Sequence, residues 1–433
     1  MTSSDQDFSP TAQSDALTFA RRSRAAATWL RRSSDAVRQQ ILRSLAEALQ
    51  QPEIRAQLLA ANEADVVVAT AKGRTGAFLD RLMLNSRRVE ALVGSLQQVA
   101  ELSDPVGRVE SWRRLPSGIE VGRMSVPLGV LLFVFEARPS AFIEAVALAI
   151  RSGNAIILRG SSEARQTNEL FARLTATALE RAGAPMGCVQ LVPLEDGGFF
   201  HRLLGCHEAI DVVIPRGGVD LIRTVRAHAR MPVLCHAQGV CHLFVERTAD
   251  LDQALALALN GKVQRPGVCN ALEGILVDQA IAADFVPRLV VALIDAHVVV
   301  HACPRSLEHT KIRSPYLVPA TEETWGREFL GLECALRVVS GFDAALEYIE
   351  RYGSNHTESI ATGDEPLAER FLTEVNASCV LVNASTRLND GGELGLGAEI
   401  GISTTPFHAY GPMGLAELCV KKFVVRGSGQ CRT

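Results

Sequence analysis

The feature that most constrains this chain is a strand–helix alternation that begins near residue 127 and is repeated after residue 242. Short apolar runs such as "GVLLFVF", "NAIILRG" and "AIDVVIPRGG" lack polar alternation, which predicts strands buried on both faces. "GCVQLVPL" and "MPVLCHA" read as further strands, and "EDGGFFHRLLGC" as a short helix. The segments between them, "AFIEAVALAIRSG", "SSEARQTNELFARLTATALERAG" and "VDLIRTVRAHA", carry helical spacing. The second block repeats the scheme with "HLFVER", "DLDQALALALNGK", "ILVD", "AADFVPRLVVALIDA", "LRVV", "FDAALEYIERYG", "ESIATG", "PLAERFLTEVN" and "SCVLVNAS". Such alternation predicts an α/β fold with two doubly wound parallel sheets.

At 433 residues the chain is too long for one ordinary core. Residues 15–100 read as helices, with Ser34-Asp35 as a helix start and Pro52 opening the next one. The segment 106–126 and the tail "FVVRG" read as strands that belong to neither core and pair between subunits. The net charge of −4 is spread over interspersed acids and bases, which excludes a nucleic-acid stripe or a basic membrane face. The opening "MTSSDQDFSPTAQSD" is polar and has no apolar stretch of a signal peptide. No apolar run is long enough to span a bilayer, so a soluble, cytoplasmic protein is expected. The cysteines are scattered without short repeated spacing, which argues for reduced thiols.

Chemistry concentrates in a few stretches. "ILRGSSEA" and "VIPRGG" follow strands of the first block. There Arg159, Gly160 and Ser162, and Arg216, Gly217 and Gly218, could hold ribose or phosphate, or could be ordinary strand-to-helix turns. "CHAQGVCH" brings Cys235, His236, Cys241 and His242 together, but the spacing fits no common zinc pattern, and no metal is expected. "RPGVCNALEG" sets Cys269 on a loop after Arg265 and before an expected helix start. Helix N-terminal amides would lower the thiol's pKa, and Asn270 would help stabilise an oxyanion. The plain alternative is a buried cysteine closing a loop.

Taken in order, "DPVGRV", "PLGV" with "FEARPS", "GNAIILRGSSEA", "DVVIPRGG", "GVCH", "QRPGVCNALE", "VNASTRLNDGGELGLGAEIGIST" and "HAYGPMGL" resemble the glutamate-5-semialdehyde dehydrogenase (gamma-glutamyl phosphate reductase) family of the aldehyde dehydrogenase superfamily. The resemblance runs from about residue 15 onward. It implies an NADP(H)-binding domain over 1–105 and 127–238, a catalytic domain over 239–404 carrying Cys269, and a β oligomerisation arm over 106–126 and 405–433. It implies NADPH-dependent reduction of L-glutamyl 5-phosphate to the semialdehyde in proline biosynthesis, with Cys269 as nucleophile and Asn270 beside it. Cofactor contacts are assigned to Arg159, Gly160, Ser162, Arg216, Gly217, Gly218 and Glu328. Substrate contacts are assigned to Arg265, Asn383, Ser385, Thr386 and Arg387. A homodimer or homotetramer and an association with glutamate 5-kinase are expected partners. Where hydrolytic members of the superfamily carry a water-activating glutamate, this chain has His236, which either touches the leaving phosphate or fills the vacated space. Ser140, Gly261 and Tyr410 depart from the family's usual Asn, Ala and Arg. A coenzyme A-dependent acylating dehydrogenase and a silent scaffold are the competing readings.

Overall fold

The computed structural model describes residues 10–194, 196, 198–236 and 238–432. The chain forms two compact units. One comprises Met1–Cys235, Leu396–Gly401 and Met413–Thr433, and the other His236–Gly395 and Ile402–Pro412.

The first unit opens with helices over Pro10–Arg32, Asp35–Gln50, Pro52–Ala71 and Ser86–Glu101. Ser34 caps the second, its hydroxyl accepting from the Val37 amide at 3.3 Å, and Pro52 stands in the first turn of the third. A four-stranded parallel sheet follows, in the order Val189–Leu191, Ala155–Arg159, Val130–Phe135, Val212–Arg216. Val130–Phe135 is buried at every position, as the unbroken apolar run requires of a central parallel strand. The helix Pro139–Arg151 ends ahead of Gly153, whose φ of +75° suits a residue without a Cβ. The expected strand "MPVLCHA" does not form. Val233 makes only a single bridge to Val213, because Pro232 offers no amide to extend the ladder.

Val109–Arg114, Glu120–Pro127 and Cys419–Arg426 form a separate antiparallel sheet with Glu120–Pro127 in the middle. The outer strands leave Trp112, Phe423 and Val425 exposed, and Phe423 lies under the Arg123 guanidinium at 4.3 Å. The two segments read as outside both cores therefore pair with each other.

The second unit is built on seven parallel strands. Their order is Leu317–Pro319, Val299–Ala302, Glu333–Val339, Leu272–Asp278, Cys241–Val245, Thr357–Ala361, Cys379–Val382. One face packs on Phe285, Leu289 and their neighbours, the other on Phe244, Phe342 and Phe371. The first two strands in this order escape the sequence reading because they are only three and four residues long, too short to show a period. "NALEG" is not a helix: Leu272 already begins a strand buried along its whole length. Burial between two helical layers outweighs the helix preference of Ala, Leu and Glu there. Among the described residues no helix is long and apolar enough to cross a membrane.

Candidate active site

Three adjacent strands of the second unit, Leu272–Asp278, Cys241–Val245 and Thr357–Ala361, present their amino ends side by side. Cys269 lies just before the first, His356 just before the third, and Cys241 opens the strand between them. The Cys241 thiol donates to the Cys269 carbonyl at 3.2 Å, and its sulfur is 3.6 Å from Nδ1 of His356. Complete burial pushes the Cys241 thiol far up, so it stays a neutral donor that ties down the nucleophile's loop. Gly239 approaches so closely that a Cβ there would lie 2.0 Å from the Cys269 carbonyl oxygen, and no other residue fits.

The sulfur of Cys269 and ring nitrogens of His236 and His356 lie within 4.8 Å of one another. Burial alone would raise the Cys269 thiol. The charge of His356 and a hydrogen bond and charge from His236 overcome it and hold the thiol well below its ordinary range. The lowering thus comes from two imidazoles, not from helix amides, because no helix starts at Asn270. His236 Nδ1 contacts the Ile402 carbonyl at 3.2 Å, which fixes that nitrogen as the protonated donor. His356 Nδ1 pairs with Thr357 Oγ1 at 2.7 Å, while its Nε2 is buried with no partner of hydrogen-bond geometry. Of the other ligand types in "CHAQGVCH", Cys241 holds the loop as described, and His242 is spent on Glu358 at 3.0 Å inside the core.

Asn270 is buried and already committed. Its Nδ2 donates to the Asn389 carbonyl at 2.9 Å, and its Oδ1 accepts from Arg387. It therefore links the nucleophile's loop to the 385–389 turn, with its amide nitrogen facing the Asn389 and Arg387 carbonyls at 2.9 and 3.5 Å and not held free for an oxyanion. Arg387 also donates to Gln264 Oε1 at 2.9 Å. Burial lowers its pKa, and neighbouring Arg265 acts in the same direction, so two guanidiniums stand near the loop. Ser385 caps the turn by accepting from the Arg387 amide. Thr386 Oγ1 and Asn389 Oδ1 are buried without partners. Asn383 stands apart, its amide bonded in both directions to the Thr362 backbone. Glu328 belongs to this unit, where its carboxylate accepts from the Gly239 amide at 2.9 Å and is raised by burial.

Lys262, in the helix Leu251–Val263, pairs with Glu273 at 2.7 Å, and both are buried. This ion pair closes the loop that carries Cys269 at both ends. Gly261 in the same helix would place a Cβ 3.0 Å from Leu272 Cβ, so the family's usual Ala would need a small shift of that neighbour. Tyr410 bonds Asn376 at 3.0 Å, and Ser140 sits in the first turn of its helix.

The first unit keeps its candidate groups at the carboxyl ends of its strands, where open α/β sheets bind ligands. Arg159 ends one strand and Arg216 another. Arg159 lies over the Phe200 ring at 5.1 Å, and burial lowers its pKa. Beside it a cavity of about 150 Å³ is lined by Gly160, Asn168, Leu191, Val192 and Leu194 among others. Asn168 Oδ1 there is buried without a partner, and a Cβ at Gly160 would lie 2.3 Å from Asn168 Nδ2. An orphaned acceptor beside a gap that only glycine leaves open fits a polar ligand such as a dinucleotide's ribose. The Gly218 amide donates to Glu136 Oε1 at 2.8 Å, and a Cβ on Gly217 would strike the same carboxylate. Ser162 is exposed and bonds its neighbour Glu163.

His356 is the functional residue that the sequence reading missed. Its signal was a histidine standing immediately before a buried strand of the block that carries the cysteine. Sequence spacing cannot pair it with Cys269, because the strand order does so.

A profile described as "Aldehyde dehydrogenase family" matches residues 6–301. The chain is 49% identical over 416 residues to a gamma-glutamyl phosphate reductase of Anaeromyxobacter sp. (strain K), covering 96% of this chain and 97% of that one. It is 51% identical over 377 residues to a Thermus thermophilus protein of the same name, covering 87% of this chain and 90% of that one. The crystal structure of the gamma-glutamyl phosphate reductase of Thermotoga maritima superposes with a TM-score of 0.92 at 39% identity, over 96% of this chain and 100% of that one. With two-thirds of its length inside that profile and half of its residues shared with such relatives, the chain belongs to the aldehyde dehydrogenase family, in its gamma-glutamyl phosphate reductase group.

Proposed function

We propose that this chain reduces L-glutamyl 5-phosphate to L-glutamate 5-semialdehyde, with NADPH as reductant and release of phosphate, in L-proline biosynthesis. The observation that carries the mechanism is the convergence of the Cys269 sulfur with ring nitrogens of His236 and His356 within 4.8 Å, which favours the thiolate there while burial keeps the neighbouring Cys241 protonated.

The Cys269 thiolate attacks the acyl carbon of the mixed anhydride. The bond from that carbon to the phosphate oxygen breaks, and phosphate departs, leaving a thioester on the sulfur. Positive charge on His236 and His356 favours the thiolate beforehand and suits the departing phosphate afterwards. Arg265 and Arg387 give the substrate's α-carboxylate a cationic wall, with Arg387 oriented by Gln264 and Asn270. A nicotinamide cofactor supplies the hydride when bound. After reduction, the hemithioacetal oxyanion re-forms its carbonyl and expels the Cys269 thiolate, so no water is consumed. His236 stands where hydrolytic members of the family carry the water-activating carboxylate, and its Nδ1–H is engaged by the Ile402 carbonyl. Arg159, Gly160, Arg216, Gly217 and Gly218 are the residues proposed to hold the cofactor. The first unit is proposed as the NADP(H)-binding domain and the second as the catalytic one. The exposed apolar side chains of the sheet containing Phe423 suit pairing with a second copy of the chain, and association with a glutamate 5-kinase would shield the labile substrate. The cytoplasm, where such substrates are made, is the proposed site of action.

The test runs the reaction in reverse. Glutamate semialdehyde, NADP⁺ and phosphate are mixed with the protein, and nicotinamide reduction is followed by absorbance. Phosphate-dependent reduction is expected, with loss of roughly 10³-fold or more in Cys269→Ala, since the nucleophile has no substitute. Wild-type turnover in that variant would remove Cys269 from the mechanism.

A further inference from the structure

We infer that Cys269, His236 and His356 together form a binding site for one thiophilic divalent cation of the zinc class, and that occupancy of this site shuts the enzyme off. The inference uses the nucleophile named above, but it stands on ligand geometry and is tested apart from turnover.

The donor set is one sulfur and two imidazole nitrogens, all within 4.8 Å of one another. Among the described residues this is the one such group of three or more histidine, cysteine or acidic side chains. Zinc bonds of about 2.0–2.3 Å set ligand-to-ligand separations of roughly 3.5 Å, so the three need to close by about 1 Å. Each histidine already has the outer contact that orients a metal-binding imidazole. His236 Nδ1 is held by the Ile402 carbonyl, and His356 Nδ1 by Thr357 Oγ1. His356 is fully buried, and its Nε2 makes no contact of full hydrogen-bond geometry, which leaves its lone pair open to a stronger ligand. Three protein ligands leave a fourth tetrahedral position open to water or to the substrate's oxygens. Magnesium and calcium demand oxygen ligands and do not fit. A sulfur lone pair bound to the cation is no longer a nucleophile, so cation and acyl phosphate compete.

The probe is Co²⁺, whose sulfur-to-metal charge-transfer band reports thiolate ligation directly. Titrating the full chain with Co²⁺ under reducing, anaerobic conditions is expected to give that band at one ion per chain, with Zn²⁺ displacing it and Mg²⁺ not. His356→Gln and His236→Gln are each expected to weaken Co²⁺ binding about tenfold or more, with folding verified by circular dichroism, and Cys269→Ser to abolish the band. In the reductase assay Zn²⁺ inhibition should be relieved by chelator and by excess acyl phosphate. Absence of the band, or its persistence in Cys269→Ser, overturns the site. Turnover without zinc inhibition overturns the shut-off while leaving the reductase standing, and a band without turnover does the reverse.

Discussion

A thiol whose proton is loosened by neighbouring charge reports that charge in its alkylation rate. Cys269 has its pKa held well below the usual range. The thiolate therefore persists as pH falls, and the iodoacetamide rate should reach half its plateau well below pH 8.5, the ordinary midpoint being about that value. Replacing His356 with Gln removes the first of the two charges. The midpoint should climb, and once it passes pH 7 the rate at pH 7 falls about tenfold per unit of climb. Superimposable profiles for the two proteins would remove His356 from the thiol's environment. At this scale the cysteine was legible, since its loop stands out between Arg265 and Asn270. The cause of its reactivity was not. Residues 269 and 356 are joined only by the order of strands in a sheet, and no local pattern carries that order. Asn270 was legible as a neighbour, yet its amide is spent on Asn389 and Arg387.

Elements hold this site through their ends. Lys262 at the end of one helix and Glu273 at the start of one strand bracket the nucleophile's loop with a fully buried ion pair. Lys262→Met keeps the length of the side chain but leaves Glu273 buried without its partner. The expected loss is about 3–5 kcal/mol, read from the urea midpoint at unchanged slope. A loss under about 1 kcal/mol would mean that the carboxylate has found water or a proton at no cost. The helices over residues 15–100 and most strands were legible, since long amphipathic spacing and unbroken apolar runs are unambiguous. "NALEG" and "MPVLCHA" misled because each is too short for its period to outweigh its surroundings. Burial turned the first into a strand, and Pro232 stopped the second from becoming one.

Among the described residues the chain forms two parallel sheets, as the twofold alternation requires, a small antiparallel sheet of three strands, and an antiparallel pair of Ile402–Ser403 with Gly411–Pro412. The sequence does not reveal how the chain is shared between the units, because Leu396–Gly401 and Met413–Thr433 return to the first after the second is nearly complete. The proposed pairing of copies through the small sheet is checked by Phe423→Glu. The variant is expected to run as a smaller species in analytical ultracentrifugation, with the Cys269 alkylation rate unchanged. An unaltered sedimentation coefficient would place the contact elsewhere.

The return of Cys419–Arg426 to Glu120–Pro127 also has a meaning in time. A ribosome adding about 5–20 residues per second makes the two strands roughly 15–60 s apart. Throughout that interval Glu120–Pro127 has one side paired at most, with its other row of amides and carbonyls unmet. The nascent first unit must therefore wait, edge open, while an entire second sheet is made. The rate of translation across the intervening residues thus sets how long that edge is available to the wrong partner.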